Sequence, residues 1–179
     1  MKNKDKQITF SDVQYPKYNT AIIVVGGVGT DKQSVIDKLS GEWAILNDET
    51  EKTIREEIRK ADPEKKPNIV ITDWVEDVSD FINCTFVLTY KMGYDVIDIH
   101  LVWKIEDVQV AMEQKPISED KGMSDAVIKS SYYMIDKLCN DIIEGKLSLE
   151  KNFDGDIWYI EDDSEILIKN SGHQSTSIK

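Results

Sequence analysis

The residues whose spacing carries the most chemistry lie in the stretch GGVGTDKQS, residues 26–34. A loop that wraps phosphates reads G-x-x-x-x-G-K-[ST]. Its backbone N–H groups curl around the oxygens, its lysine reaches the outer phosphates, and its hydroxyl holds Mg²⁺. Gly26 and Lys32 keep that spacing, but Asp31 stands where the second glycine belongs and Gln33 where the hydroxyl belongs. A carboxylate about 4 Å from a phosphate repels it by roughly 4 kcal/mol at an intermediate dielectric, about three decades of affinity. Gln33 offers an amide oxygen and no hydroxyl, and Ser34 comes one place late. Gly26, Gly27, Gly29, Lys32 and Ser34 are therefore the candidate nucleotide-binding residues.

Such a loop needs a strand to aim it and a helix to receive it. Thr20 to Val25 is a fully apolar run, as in a strand buried on both faces of a parallel sheet. Val35, Ile36 and Leu39 then recur at helical spacing, and Ser40-Gly41 ends the segment. Further strands are expected at 43–46, 68–74 and 96–103, and helices at Ile54–Ala61, Val75–Tyr90, Glu106–Gln114 and Ser124–Glu144. Asp156 to Glu161 and Glu165 to Lys169 alternate around an acidic turn and predict a terminal β-hairpin. Alternating strands and helices predict an α/β domain with a mostly parallel sheet flanked by helices. The expected organisation is a polar N-terminal arm over 1–19, one domain over 20–169, and a polar tail over 170–179.

Composition narrows the partners. The net charge of −12 disfavours nucleic acid and anionic membranes, which both demand a basic surface. No apolar run approaches the roughly 20 residues of a membrane span, and MKNKDKQITF has no apolar signal core. A cytoplasm, or a particle assembled in one, is the expected setting. Cys84 and Cys139 fall in apolar helical segments and read as buried reduced thiols, with no metal-ligand spacing around them. No metal site is expected.

The order of motifs resembles the P-loop small-molecule kinases of the zeta-toxin and polynucleotide-kinase-like group, over about residues 20–170. GGVGTDKQS is similar to the family's GGPGSGKST without a gap. Asn47-Asp48-Glu49 ahead of Arg55 resembles its N-x-D-[DE]-x-x-R segment, with the arginine displaced. Gly93-Tyr94 followed by IDIHLVW and DVQVAMEQK, then KGMSD before a long helix, and DIWYIED near the end follow the family's order. The resemblance implies a three-layer P-loop kinase-like fold. It also implies that Asp73 is the catalytic acid, that Lys115 and Lys121 are lid cations, and that ATP or GTP with Mg²⁺ is used if the site is active.

The departures count against activity. The family's lid arginine is Gln114 here, and the lid has only Lys115 and Lys121, neither of which makes the bidentate fork of arginine. Of 22 basic residues the only arginines are Arg55 and Arg59, which fit a solvated helix face with Glu51 as an i,i+4 partner. His100, inside VIDIHLVW, reads as a sheet or core histidine rather than a base, and His173 stands alone in the tail. Asp73 also fits as a helix-capping carboxylate. The expectation is a catalytically impaired kinase-fold protein with no bound cofactor. It would act as a structural or assembly component, with homo- or hetero-oligomeric protein partners, in a setting such as a viral particle. The alternative is a Mg²⁺-dependent NTP phosphotransferase acting on a nucleoside, nucleotide or sugar.

Overall fold

The computed structural model describes residues 8–113, 125–146 and 155–169. Six strands form one sheet: β1 (Ala21–Val25), β2 (Ala44–Leu46), β3 (Ile69–Ile71), β4 (Ile99–Ile105), β5 (Ile157–Glu161) and β6 (Ser164–Lys169), in the order β2-β3-β1-β4-β5-β6. The first five run parallel, and β6 returns antiparallel to β5 through a tight turn at Asp162 and Asp163. The expected hairpin is present. The order settles what neighbours β1: it lies between β3 and β4, with Ala21 facing both Ile69 and Ile99. All five residues of β1 are buried, as a central parallel strand requires.

Alternation along β1 divides the core into two. Ala21, Ile23 and Val25 face one layer, packed by α2 (Glu51–Lys60), α3 (Val78–Phe86) and α5 (Asp125–Ile143) through Ile54, Ile58, Phe81, Leu88, Ile135 and Leu138. Ile22 and Val24 face the other, which is covered by Phe10 and Val13 of the arm, by Val35 of α1 (Gln33–Ile36), and by Trp158 and Ile160. The result is a three-layer α/β fold of P-loop kinase-like architecture. The arm over residues 8–19 does more than precede β1: Phe10 and Val13 are core residues, and the Ser11 backbone N–H and hydroxyl both donate to the Glu165 carboxylate on β6. Lys38 pairs with the same carboxylate.

Several expected boundaries move. The helix after the loop is only four residues long and stops at Ile36 rather than reaching Leu39. The fourth strand begins at Ile99, because Asp95 caps a 3₁₀ turn over Val96–Asp98 by accepting from Ile97 N–H. β3 is only three residues long, so Asp73 lies beyond the strand rather than on its last rung. A further short helix, α4 (Val108–Glu113), follows β4. The α3 helix runs on through a π-helical turn over Val87–Lys91, where Thr89 donates its hydroxyl back to the Thr85 carbonyl. Cys84 and Cys139 are buried free thiols, and burial pushes the Cys84 thiol up to about 12.

His100 lies in the core, as its place in the strand suggested, at 1% exposure. Its Nδ1 accepts from the Asp156 backbone N–H at 3.1 Å, which puts the neutral ring's proton on Nε2. The Tyr15 ring of the arm lies 5.3 Å from the imidazole. Burial holds the His100 pKa below its usual value, against an opposing pull from Asp156. Unfolding frees the imidazole to take a proton below about pH 6.5, so this group contributes stability at neutral pH that is lost as pH falls below that value. We expect urea unfolding at pH 7.5 and 5.5 to show a smaller loss of stability in H100Q than in the wild type. Equal losses would remove His100 as the titrating group.

Candidate functional site

The loop between β1 and α1 sits at the carboxyl edge of the sheet, where β1, β3 and β4 end side by side. It borders a cavity of about 490 Å³ lined by Gly26 to Thr30, Lys32, Gln33, Asn47, Thr72, Asp73, Glu76 and Ser131, among others. Of the residues expected to bind nucleotide, Gly26, Gly27, Gly29 and Lys32 are brought together there, and Asp73 joins them. Ser34 is placed elsewhere: its hydroxyl donates to the Asp31 carbonyl at 2.7 Å, and it does not line the cavity. Lys115, Lys121 and Gln114 lie outside the described residues.

Asp31 does not fold its carboxylate into the loop. Its Oδ1 accepts from the Ser34 backbone N–H at 3.2 Å, beside the start of α1. The residue that replaces the second glycine thus turns its carboxylate toward the first turn of α1, one position before the Lys32 N-cap.

What fills the loop comes from far along the chain. Glu106, directly after β4, accepts from the Asp31 backbone N–H through Oε1 at 3.1 Å, while its Oε2 is buried without a hydrogen-bond partner among the described residues. Ser131 on α5 accepts from the Val28 N–H at 2.8 Å. The Thr30 N–H bonds to the Gly27 carbonyl, and the Lys32 N–H to the Thr30 carbonyl. Tyr132 closes the outer side. Its ring lies so near Gly27 that a Cβ there would come within 2.2 Å of it, and its hydroxyl is 3.2 Å from Thr30 Oγ1. A phosphate cradle works by leaving its N–H groups free for the ligand. Here Val28, Thr30, Asp31 and Lys32 all have theirs engaged within the protein, one of them by a carboxylate.

Lys32 also has a new task. Its ammonium donates to the Thr72 carbonyl just past β3. Burial lowers its pKa, while Asp73 and Glu76 pull it back up. Lys32, Asp73 and Glu76 line the same cavity wall, and the two acids favour the charged lysine. The loop departs from a Mg²⁺-nucleotide site in two respects: the N–H groups of Val28, Thr30, Asp31 and Lys32 are engaged within the protein, and Gln33 has no hydroxyl.

Glu106, Ser131, Tyr132 and Glu76 were not singled out from sequence. Glu106 carried the one usable signal, since it directly follows an apolar strand that could neighbour β1. Arg55 behaves as its spacing suggested, pairing with Glu51 at 2.7 Å, and it also lies over the Trp74 ring at 5.8 Å.

The strand order, the sheet edge and the glycine-rich turn into α1 define a protein of P-loop kinase-like architecture with an internally occupied loop. No protein-family model matches the chain, and no curated protein matches it. Among solved structures it is similar to a chain of the AvrRxo1-ORF1:AvrRxo1-ORF2 complex with sulphate ions, at 12% identity and a TM-score of 0.49, over 84% of this chain. It spans 57% of the length of that chain. It is also similar to a chain of the PezAT chromosomal toxin-antitoxin system of the human pathogen Streptococcus pneumoniae, at 15% identity and a TM-score of 0.46, over 93% of this chain and 77% of that one. Among the described residues, no helix is long and apolar enough to cross a membrane.

Proposed function

We propose that this chain is a P-loop kinase-fold protein that transfers no phosphoryl group and acts by binding other proteins, as a structural or assembly component. The observation that carries this reading is the Glu106 carboxylate on the Asp31 N–H, in the ring of backbone donors that would otherwise hold a phosphate. Ser131 on the Val28 N–H and Tyr132 against Gly27 support it. An internal anion gives the loop the bond it needs to stay folded without a nucleotide. The net charge of −12 favours a protein partner over nucleic acid or an anionic membrane. A virus particle or another assembly built in a cytoplasm is a setting that suits such a role.

A second reading, Mg²⁺-dependent phosphoryl transfer from NTP to a small hydroxyl acceptor, draws on the shared cavity of Lys32 and Asp73. Titration calorimetry with ATP and GTP, each with Mg²⁺, separates the two. We expect no saturable heat at about millimolar nucleotide. Micromolar binding that disappears in K32A would overturn the proposal and leave the phosphotransferase reading in its place.

A further inference from the structure

The α3 helix has two apolar sides, and the sheet uses only one. Phe81, Cys84 and Leu88 enter the core. On the opposite side Ile82, Phe86 and Tyr90 stand four residues apart, 41%, 49% and 73% exposed. Four-residue spacing stacks them along one stripe of a helix. The Phe86 and Tyr90 rings already touch, with centroids 4.8 Å apart. Flanking the stripe, between α2 and α3, is a cavity of about 200 Å³ lined by Arg55, Trp74, Asp80, Asn83 and Val87, among others. An aromatic ridge beside a small pocket is the anatomy of an interface core.

The charges at the two ends of the ridge say what covers it. Glu76, Asp77 and Asp80 crowd the amino end, and the Lys91 side chain at the carboxyl end is exposed and makes no ion pair among the described residues. We propose that the outer face of α3 pairs with the same face of a second copy of this chain, antiparallel about Phe86. A two-fold interface must be self-complementary. Phe86 is the middle residue of the stripe, so an antiparallel pairing sets Ile82 against Tyr90 of the second copy and the acidic end against its Lys91. A parallel pairing would set acid against acid. This pairing names the partner for the protein-binding role proposed above, but it needs nothing from the loop, so either reading can fail without the other.

The test is sedimentation equilibrium of the full chain, without nucleotide, up to about 200 µM. A dimer is expected. F86S and K91E sit at solvent-exposed positions, and thermal melting checks that each variant is folded. Each should weaken the dimer by about tenfold or more. Pairing K91E with a D80K chain of otherwise wild-type sequence should recover association between the two. A wild-type monomer at the highest concentration overturns the proposal, and so does a dimer indifferent to F86S and K91E. If only an added foreign protein covers the ridge, the wild type stays monomeric and the proposal fails in the same measurement.

Discussion

A chain carrying D31G, Q33S and E106A together should bind Mg²⁺-ATP between about thirtyfold and a thousandfold more tightly than the wild type. The reasoning starts from the Asp31 N–H, which now holds Oε1 of Glu106 at 3.1 Å. Removing that carboxylate frees a donor and removes a repulsion worth about 4 kcal/mol at 4 Å and a dielectric of 20. The lower end of the range allows for solvent screening, because Asp31 is exposed. D31G restores the missing glycine, and Q33S restores a hydroxyl for the metal. Losing the Asp31–Ser34 bond costs roughly 1 kcal/mol of local stability, so melting curves must accompany the calorimetry. E106A alone should give part of the gain and D31G alone much less, since the Asp31 carboxylate already points to Ser34 N–H. A triple variant that is folded and still binds nothing would show that Ser131 and Tyr132, not Glu106, close the loop.

G155A should be the most destructive single methyl addition near the sheet. A Cβ on Gly155 would come within 1.5 Å of the Ile99 carbonyl oxygen and 3.2 Å of the His100 Cα. Both obstacles are backbone, so no rotamer change relieves them. The strands would have to part where the Leu101 N–H bonds to the Asp156 carbonyl at 2.9 Å and where Asp156 N–H meets His100. The expected loss is about 4 kcal/mol or more, a large share of the roughly 5–15 kcal/mol that holds a domain together. Urea unfolding measures it. A loss under about 1 kcal/mol would mean that the approach of β5 to β4 is loose enough to admit a methyl group.

The sequence made the fold legible wherever one property dominated a long enough run. The unbroken apolar stretch of β1, the helical period of α2 and α5, and the alternation of β5 and β6 each have one physical reading. Boundaries were less legible. In VIDIHLVW the apolar residues do not say where pairing starts; Asp95 decides it by capping a turn. The cavity wall was half visible. Lys32 and Asp73 could be picked out because their spacing follows the phosphate-loop pattern and the kinase resemblance. Glu106 and Ser131 could not, because they meet the loop from 75 and 103 residues away, and only the place of β4 and α5 in the fold brings them there. Asp31 shows a different limit. Its type predicts a charge beside a phosphate, whereas its side chain turns away to accept from the Ser34 N–H.

The grip of Ser11 on Glu165 also sets a timetable. These residues are 154 positions apart, so the ribosome adds the second about 8 to 30 seconds after the first. Until then the arm has neither Glu165 nor Trp158 to hold it, and the apolar side chains of Ile22 and Val24 lack part of their cover. The nascent chain therefore carries a half-clothed sheet through most of its synthesis, within reach of any chaperone that recognises exposed strands. The same closure brings the early and late segments of the chain side by side, so a circularly permuted gene that joins them and opens the protein at a surface loop would build the two halves of this seam in immediate succession.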